Sequence, residues 1–193
     1  MRRPDMTQAE LFSRIQTQFP HVEKSATPVK DYLSLRLPAP DALIPVAAWL
    51  KANSFDYLEM LTAVDYLGPV DMKGYIRQPN FNPFLPEGAL PQTEPAATAG
   101  YPYRPVLELI WSFVSMKEKA RVFLKLDVPR QAASAPSLTG LFKSADWQER
   151  EVFDLLGVRY EGHPNLTKIL TADFLQGHPL RKDYVHIRDR YDE

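Results

Sequence analysis

The chain has 193 residues, which is enough for one domain with a hydrophobic core of its own. Its formal net charge is -1, so no strong overall field is expected to attract nucleic acid or an anionic membrane surface. The absence of cysteine excludes disulfides, iron–sulfur ligation and cysteine nucleophiles within this chain. The 18 prolines are about twice the usual frequency, which favours loops and extended segments that lie along another surface.

Neither the N-terminus nor the longest apolar run predicts direct membrane insertion. The N-terminus MRRPDMTQAELF carries two arginines but no apolar stretch, so a secretory signal is not expected. The longest apolar run covers residues 44–50, whereas a bilayer span needs about 20 residues. Any membrane association is therefore expected to come through a partner. The absence of an Arg- and Ser-rich leader favours a bacterial chain over one imported into an organelle.

The first third of the chain predicts two helices and two strands. Thr7 and Glu10 have the spacing of a capping box, and the apolar spacing that follows predicts a helix over 8–19. Alternating leucines predict a half-buried strand over 33–37. A second helix is expected over 45–52, beginning with proline. The period of residues 55–66 is ambiguous, and we expect a short helical turn followed by a strand near 61–66.

Residues 69–105 are predicted to form an inserted loop, because these 37 residues include eight prolines and three glycines. Structureless loops of this length are usually functional or are ordered by a partner. The aromatic residues in the insert favour docking on a partner. Packing of the insert on its own domain is the open alternative.

The clearest strands are predicted over 106–114 and 121–128, with a hairpin connection at 116–119. Three charged side chains of the second strand are expected on its solvated face: Arg121, Lys125 and Asp127. Residues 129–136 are interpreted as a linker, and residues 137–144 are weakly helical. A further amphipathic helix is expected to begin at Asp146, with Glu149 as its capping-box partner, and to end at Gly157.

These elements together predict an α+β fold. It consists of a small mixed sheet with a hairpin, flanked by helices, with a long Pro-rich insert and an extended C-terminal tail. The expected division places an α/β domain over 1–156, including the insert 69–105, and a tail over 157–193.

The run Glu149-Arg150-Glu151 is the first candidate for chemistry. On a helix the two glutamates lie about 200° apart and cannot face one site as an acid–base pair. Helix capping accounts for Glu149, and Arg150, Glu151 and Asp154 are interpreted as a surface ion-pair cluster. A structural or interface role is therefore favoured over catalysis.

The two Gly-His-Pro triplets are the second candidate. His163 lies between Gly162 and Pro164, and His178 lies between Gly177 and Pro179. Their separation matches no zinc-site spacing, and a histidine between glycine and proline favours rigid turns that hold an imidazole in place. Structural or interface hydrogen bonding is favoured over metal binding.

The run Arg181-Lys182-Asp183 completes the set of charged candidates. In an extended tail it is either a solvated face or a clamp for a carboxylate on a partner. The sequence lacks a P-loop, a G-x-G-x-x-G, a G-x-S-x-G and an H-E-x-x-H motif. No cofactor or active site is expected in this chain.

The stretch from Glu149 to Tyr184 resembles the signature of a known family. It reads EREVFDLLGV, then GHPNLTKIL, then GHPLRKDY. This is similar to the 30 kDa subunit, also named the C subunit, of the proton-pumping NADH–quinone oxidoreductase, respiratory complex I. The resemblance extends loosely over 32–184 apart from the insert. It implies a non-catalytic subunit of the peripheral arm, on the cytoplasmic side of the inner membrane, that supports electron transfer from NADH to quinone coupled to proton translocation.

The resemblance also implies partners and site residues. The small domain would lie beside the subunits that form the quinone site and hold the terminal cluster, with its tail along the large quinone-site subunit. FMN and iron–sulfur clusters would belong to partner subunits and none to this chain. The implied interface residues are Glu149, Arg150, Glu151, Asp154, Gly157, Gly162, His163, Pro164, Gly177, His178, Pro179, Leu180, Arg181, Lys182 and Asp183.

Three departures from the family pattern leave alternatives open. Lys168 stands where the family commonly has arginine, Val185 stands where a proline usually follows, and the insert is longer than expected. A related membrane-bound hydrogenase or a dehydrogenase with another electron donor could carry the same kind of subunit. Two hypotheses of other classes are a metal-dependent hydrolase built on Glu151, His163 and His178, and an interaction scaffold that binds through the Pro-rich insert.

Overall fold

The structure is a computed structural model that describes residues 7–67 and 103–185. Its main sheet has five strands in the order β1-β2-β5-β4-β3, and a second sheet pairs β6 with β7. β2 runs parallel to β5 and the other pairs of the main sheet are antiparallel, so the predicted mixed sheet is confirmed. The strands are β1 (Glu23–Lys24), β2 (Leu33–Arg36), β3 (Tyr57–Asp65), β4 (Val106–Ser115), β5 (Ala120–Pro129), β6 (Ser134–Pro136) and β7 (Arg159–Glu161).

The core lies on one face of the main sheet. The cross-strand register places Leu35, Leu124, Trp111 and Leu61 in one row across four strands, and all four are buried. The predicted hairpin connects β4 to β5 through residues 116–119. Strict alternation of large apolar residues in both strands accounts for this packing, because alternate side chains project to the same face.

Helices α1 (Gln8–Gln18) and α2 (Leu43–Ala52) add apolar side chains to this core. The Thr7–Glu10 capping box is present, and Leu11 and Ile15 are buried. The second helix begins two residues earlier than predicted, after a 3-10 turn over Pro40–Ala42. Pro45 is tolerated there because the first-turn amides of a helix have no partner within the helix.

The third helix, α3 (Ala145–Leu156), connects the main sheet to the β6–β7 pair. It packs against β3, and it ends at Gly157, which adopts the left-handed conformation with φ 73°. The chain then enters β7, which pairs in parallel with β6. The interpretation of 129–136 as a linker was therefore wrong, since these residues form a 3-10 turn and strand β6. Residues 137–144 form turns and no helix.

Two further expectations need correction. Strand β3 begins at Tyr57, so the predicted helical turn with a strand near 61–66 was partly wrong. A register shift between Leu58 and Met60 interrupts the apolar alternation on which the prediction depended. Lys125 is not solvated: it is 4% exposed, and its Nζ lies 3.0 Å from the buried Glu108 carboxylate. The face opposite the core thus contains a buried ion pair.

The predicted insert 69–105 lies almost wholly outside the described residues. The structure describes only its last three residues, 103–105. Within 7–67 and 103–185, no helix combines the length and apolar character that crossing a membrane requires.

Candidate interface site

Asp154 holds the segment that follows the first Gly-His-Pro triplet. Its Oδ2 accepts hydrogen bonds from the backbone amides of Ile169, Leu170 and Thr171 at 3.0, 2.8 and 2.9 Å, and the Thr171 hydroxyl donates to Oδ1. Burial opposes ionisation, but these donors outweigh it and lower the pKa of Asp154 to about 2. A charged, buried carboxylate therefore fixes residues 169–171 on α3.

Arg150 holds the same segment one helical turn earlier. Its guanidinium donates to the Thr167 carbonyl at 3.1 Å and to the Lys168 carbonyl at 3.2 Å, and it lies 5.3 Å from the centre of the Trp147 ring. Asp154 is fully buried, whereas Glu151 is exposed. The expected surface ion-pair cluster of Arg150, Glu151 and Asp154 is wrong, because two of the three side chains bind the tail backbone instead.

Glu149 is buried and does not cap the helix. Because α3 begins at Ala145, Glu149 lies beyond the first turn, and its carboxylate accepts from the Leu138 amide and the Ser137 hydroxyl, both at 2.7 Å. Burial raises its pKa, against the lowering effect of these two hydrogen bonds. The capping-box assignment was therefore wrong. Glu149, which lies within α3, binds the turn that follows β6.

The first Gly-His-Pro triplet forms a tight turn after β7. Gly162 has φ 82°, a conformation that favours glycine. The His163 Nδ1 accepts from the Asn165 amide at 3.0 Å, which places the proton on Nε2, and Nε2 lies 3.1 Å from the Asp146 carbonyl. Pro164 is exposed. The buried imidazole thus joins the turn to the start of α3, in the structural manner that the flanking residues predicted.

The second triplet packs against the C-terminus of α3. The His178 Nδ1 donates to the Asp154 carbonyl at 2.9 Å, and the Leu180 amide donates to the Leu155 carbonyl at 3.0 Å. A Cβ on Gly157 would lie 2.4 Å from the His178 ring, so this position needs glycine for space as well as for its positive φ. Gly177, at φ 82°, completes the turn before the half-buried Pro179.

The Arg181-Lys182-Asp183 run contacts the chain's own domain. The Arg181 Nε donates to the Leu156 carbonyl at 2.7 Å, and the Lys182 amide donates to Asp65 Oδ2 at 3.0 Å. Asp183 binds Arg130, which also binds Asp65. Sequence reasoning did not identify Asp65 or Arg130, because no local pattern indicates a contact between segments so far apart in the chain.

Several apolar side chains of the same region face outward. The exposed fractions are 62% for Leu170, 58% for Leu180, 63% for Val185 and 64% for Trp147. Arg150, Asp154 and Arg181 bind backbone atoms of the same chain, while these large apolar groups remain exposed. Residues 157–185 therefore fold back on the domain, and β7 makes part of them a strand. The division at 156/157 and the docking of the tail on partners stay predictions.

The arrangement offers no metal centre within the described residues. None of the His, Asp and Glu side chains described form a group of three or more that could hold a metal ion. Glu151 is exposed, His163 contacts the start of α3 and His178 contacts its end. The three residues of the hydrolase hypothesis are thus not brought together.

Comparison with known proteins identifies the family. The model of the family described as respiratory-chain NADH dehydrogenase, 30 Kd subunit, matches residues 38–190. The chain belongs to this family. It is 30% identical to the C subunit of NADH-quinone oxidoreductase from Roseiflexus sp. (strain RS-1), over 91% of this chain and 82% of that protein. It is 32% identical to the equivalent C subunit of Moorella thermoacetica, over 80% of each chain.

Solved structures share the fold at lower identity. The trypsin-resistant fragment (1-134) of Nqo5 matches with a TM-score of 0.54 and 23% identity, over 83% of this chain and all of that chain. A polypeptide of the membrane-bound sulfane sulfur reductase, an archaeal respiratory membrane complex, matches with a TM-score of 0.65 and 21% identity, over 96% of this chain and 95% of that chain. Both likenesses confirm the α+β fold.

The family assignment confirms the resemblance found in the sequence. The chain is a peripheral-arm subunit of a respiratory NADH–quinone oxidoreductase, and it is a component of that enzyme complex, not an enzyme acting alone. A cyanobacterial relative, the J subunit of NAD(P)H-quinone oxidoreductase from Synechococcus sp. (strain CC9902), is 37% identical over 75% of this chain and 64% of that protein. These relatives favour the NADH-linked complex over a hydrogenase-type one.

Proposed function

We propose that this protein stabilises the quinone-site junction of the complex by docking residues 163–185 on the large quinone-site subunit and the subunit that holds the terminal cluster. It carries no cofactor itself, and FMN and iron–sulfur clusters belong to its partners. It lies on the cytoplasmic face of a bacterial inner membrane and reaches the membrane only through the complex. It makes no contact with nucleic acid.

The observation that supports this proposal is that polar contacts bind the tail to α3 while large apolar side chains of the tail stay exposed. Asp154, Arg150 and Arg181 bind backbone atoms of this chain. Leu170 and Leu180, each more than half exposed, are left on the outside. Large apolar side chains that stay exposed on a segment held by its own domain are suited to contact a partner. A loop of this size that is held to its own domain by hydrogen bonds fits a docking surface.

A fused relative supports the choice of partner. The C/D subunit of NADH-quinone oxidoreductase from Aeromonas salmonicida (strain A449) is 47% identical over 76 residues, which are 39% of this chain and 13% of that protein. Its name joins the C and D subunits in one polypeptide. Two subunits that function as one polypeptide in a relative are expected to be neighbours when they are separate chains.

The test is a pull-down from native membranes in mild detergent, with the tag on the N-terminus so that the tail stays free. The expected eluate contains large partners with iron–sulfur clusters and has NADH–quinone activity. Leu170→Ser and Leu180→Ser should each reduce recovery of the partners. Met116→Ser is the matched control, because Met116 is 76% exposed but lies in the β4–β5 turn.

Each outcome of the pull-down discriminates between hypotheses. Partners without NADH activity would indicate a complex with another electron donor. Full recovery with both leucine variants would refute docking through the tail and would leave the Pro-rich insert as the candidate surface. If the protein is recovered alone, the proposal is refuted, and metal analysis would then test the hydrolase hypothesis.

A further inference from the structure

One arginine joins three segments that are distant in the sequence. Arg130 follows β5, Asp65 ends β3 and Asp183 lies in the tail. The Arg130 Nε and Nη2 each lie 2.8 Å from an Asp65 oxygen, and Nη1 lies 2.8 Å from Asp183 Oδ2. We call this set of three side chains the Arg130 clamp.

The two carboxylates of the clamp lie in different surroundings. The side chains of Arg130 and Asp65 are 10% and 3% exposed, whereas that of Asp183 is 49% exposed. Hydrogen bonds to Asp183 and Asp65 raise the pKa of Arg130, and the Arg130 hydrogen bond lowers the pKa of Asp183. The Arg130–Asp65 pair is thus buried within the domain, and Asp183 is the half-exposed member of the clamp that belongs to the tail.

The clamp also binds the backbone next to Asp183. The Lys182 amide donates to Asp65 Oδ2 at 3.0 Å, and the same carboxylate accepts hydrogen bonds from Arg130. The Arg181 amide donates to the His178 carbonyl and the Tyr184 amide to the Arg181 carbonyl, both at 3.0 Å. The clamp therefore binds Lys182 and Asp183 directly, and the turns at 178–181 and 181–184 adjoin these contacts.

We propose that Arg130 is a positioning residue that holds residues 180–184 in a single conformation before any partner binds. This inference rests on the proposed docking function of the tail. A segment already held in one conformation loses less conformational freedom on binding than a mobile one. If only a fraction of molecules presents the ordered tail, the apparent dissociation constant rises in inverse proportion to that fraction.

The chemistry of arginine suits this role. A planar guanidinium has five N–H donors in a fixed fork and can bind two carboxylates at once. A lysine ammonium is a point charge and cannot reproduce two bidentate contacts. Arg130→Lys keeps the positive charge but removes the forked set of donors that binds Asp65 and Asp183. This variant therefore distinguishes a role in positioning the tail from a role that needs only the charge.

The direct test is hydrogen exchange, followed by mass spectrometry, on the full-length chain without partners. Asp183→Ala removes only the half-exposed arm, so the domain is expected to stay folded. The amides of residues 180–184 should exchange roughly 10- to 100-fold faster, the effect of losing a charge-assisted hydrogen bond. Amides of β4 and β5 should be unchanged. Asp173→Ala is the matched control, because Asp173 is an exposed tail carboxylate outside the clamp.

Arg130→Lys should raise exchange in the same peptides, by more than the Asp173 control and without loss of sheet protection. Unchanged exchange at 180–184 in both clamp variants would overturn the inference. Exchange that rises equally in the sheet would also overturn it, because Arg130 would then be a general stabilising residue and not a positioning one.

A pull-down with the same variants separates this inference from the proposed function. If the tail is the docking segment, Asp183→Ala should lower recovery of partner subunits while the Asp173 control does not. Faster tail exchange with normal recovery would support positioning of the tail but refute its docking role. Normal exchange with reduced recovery would support docking and refute the positioning role of the clamp.

Discussion

Replacing Asp154 with asparagine removes the charge that holds residues 169–171 against α3. In the folded chain the pKa of Asp154 is about 2, against an ordinary value of 3.8. At 1.36 kcal/mol per pKa unit, the folded state favours the charged form by ~2 kcal/mol more than the unfolded state does. Asp154→Asn is therefore expected to lower the free energy of unfolding by ~2 kcal/mol at pH 7.

Urea unfolding of the full-length chain at pH 7 measures this loss. Glu151→Gln is the matched control, because it removes an exposed carboxylate from the same helix and should change stability by less than about 0.5 kcal/mol. The three amides that donate to Asp154 Oδ2 should also exchange faster in Asp154→Asn. A variant within about 0.5 kcal/mol of the natural chain would refute the reasoning, since the carboxylate would then carry no net stabilisation.

The pH dependence of the Asp154 effect has a defined sign. Because the folded-state pKa lies below the unfolded value, the stabilisation is fully present above about pH 5. It is lost as the pH falls from about 4 to about 2, where the carboxylate becomes protonated in the folded state as well. The natural chain and Asp154→Asn should therefore converge in stability over this range. A constant difference down to about pH 2 would contradict the assignment.

Two further pairs of substitutions test the close approach at Gly157 and the buried carboxylate of Glu149. Gly157→Ala should lower the free energy of unfolding by more than Gly162→Ala does, because both glycines have positive φ but only at Gly157 would a Cβ meet the His178 ring. We expect a difference of ~1–3 kcal/mol between the two variants in urea unfolding. Equal losses of stability would contradict the steric explanation. At pH 7, Glu149→Gln should leave the free energy of unfolding nearly unchanged, because it removes a buried charge and keeps a hydrogen-bond acceptor. Glu149→Ala should lower the free energy of unfolding by ~1–3 kcal/mol, because it leaves the buried Leu138 amide without its acceptor. Thermal unfolding compares the two Glu149 variants, and a glutamine variant less stable than the alanine variant would be the contrary result.

The sheet could be predicted from sequence where the apolar period was regular. β4 and β5 were predicted almost to the residue, because large apolar side chains alternate without interruption in both. β3 was predicted too short because the irregularity at Leu58 and Met60 changes the phase of the alternation. β6 and β7 were missed: each has three residues, and a parallel pair of distant segments has no local turn signal.

The signature residues were identified, but several of their roles were not. Spacing alone suggested that Glu149 completes a capping box after Asp146. The helix begins one residue before Asp146, and Ser144, the residue before the helix, donates instead to the Leu58 carbonyl at 2.9 Å. A capping motif depends on the first helical residue, and helix ends are the part of a sequence prediction that is least well determined. No local sequence pattern indicated the Arg130 clamp, because its three residues are distant from one another in the chain.

The inward and outward groups of the tail lead to different expectations for mutations within one signature. His178 and Arg181 hydrogen-bond to carbonyls of α3, so a change at either alters the conformation of the tail as well as any contact with a partner. Reduced assembly in such variants would not by itself show which role was lost. Leu170 and Leu180 are exposed, and replacing them should leave the free energy of unfolding of the isolated chain unchanged. Reduced assembly with unchanged stability at these two leucines, and reduced assembly with reduced stability at His178 and Arg181, would show that one set of residues shapes the surface which the other set presents.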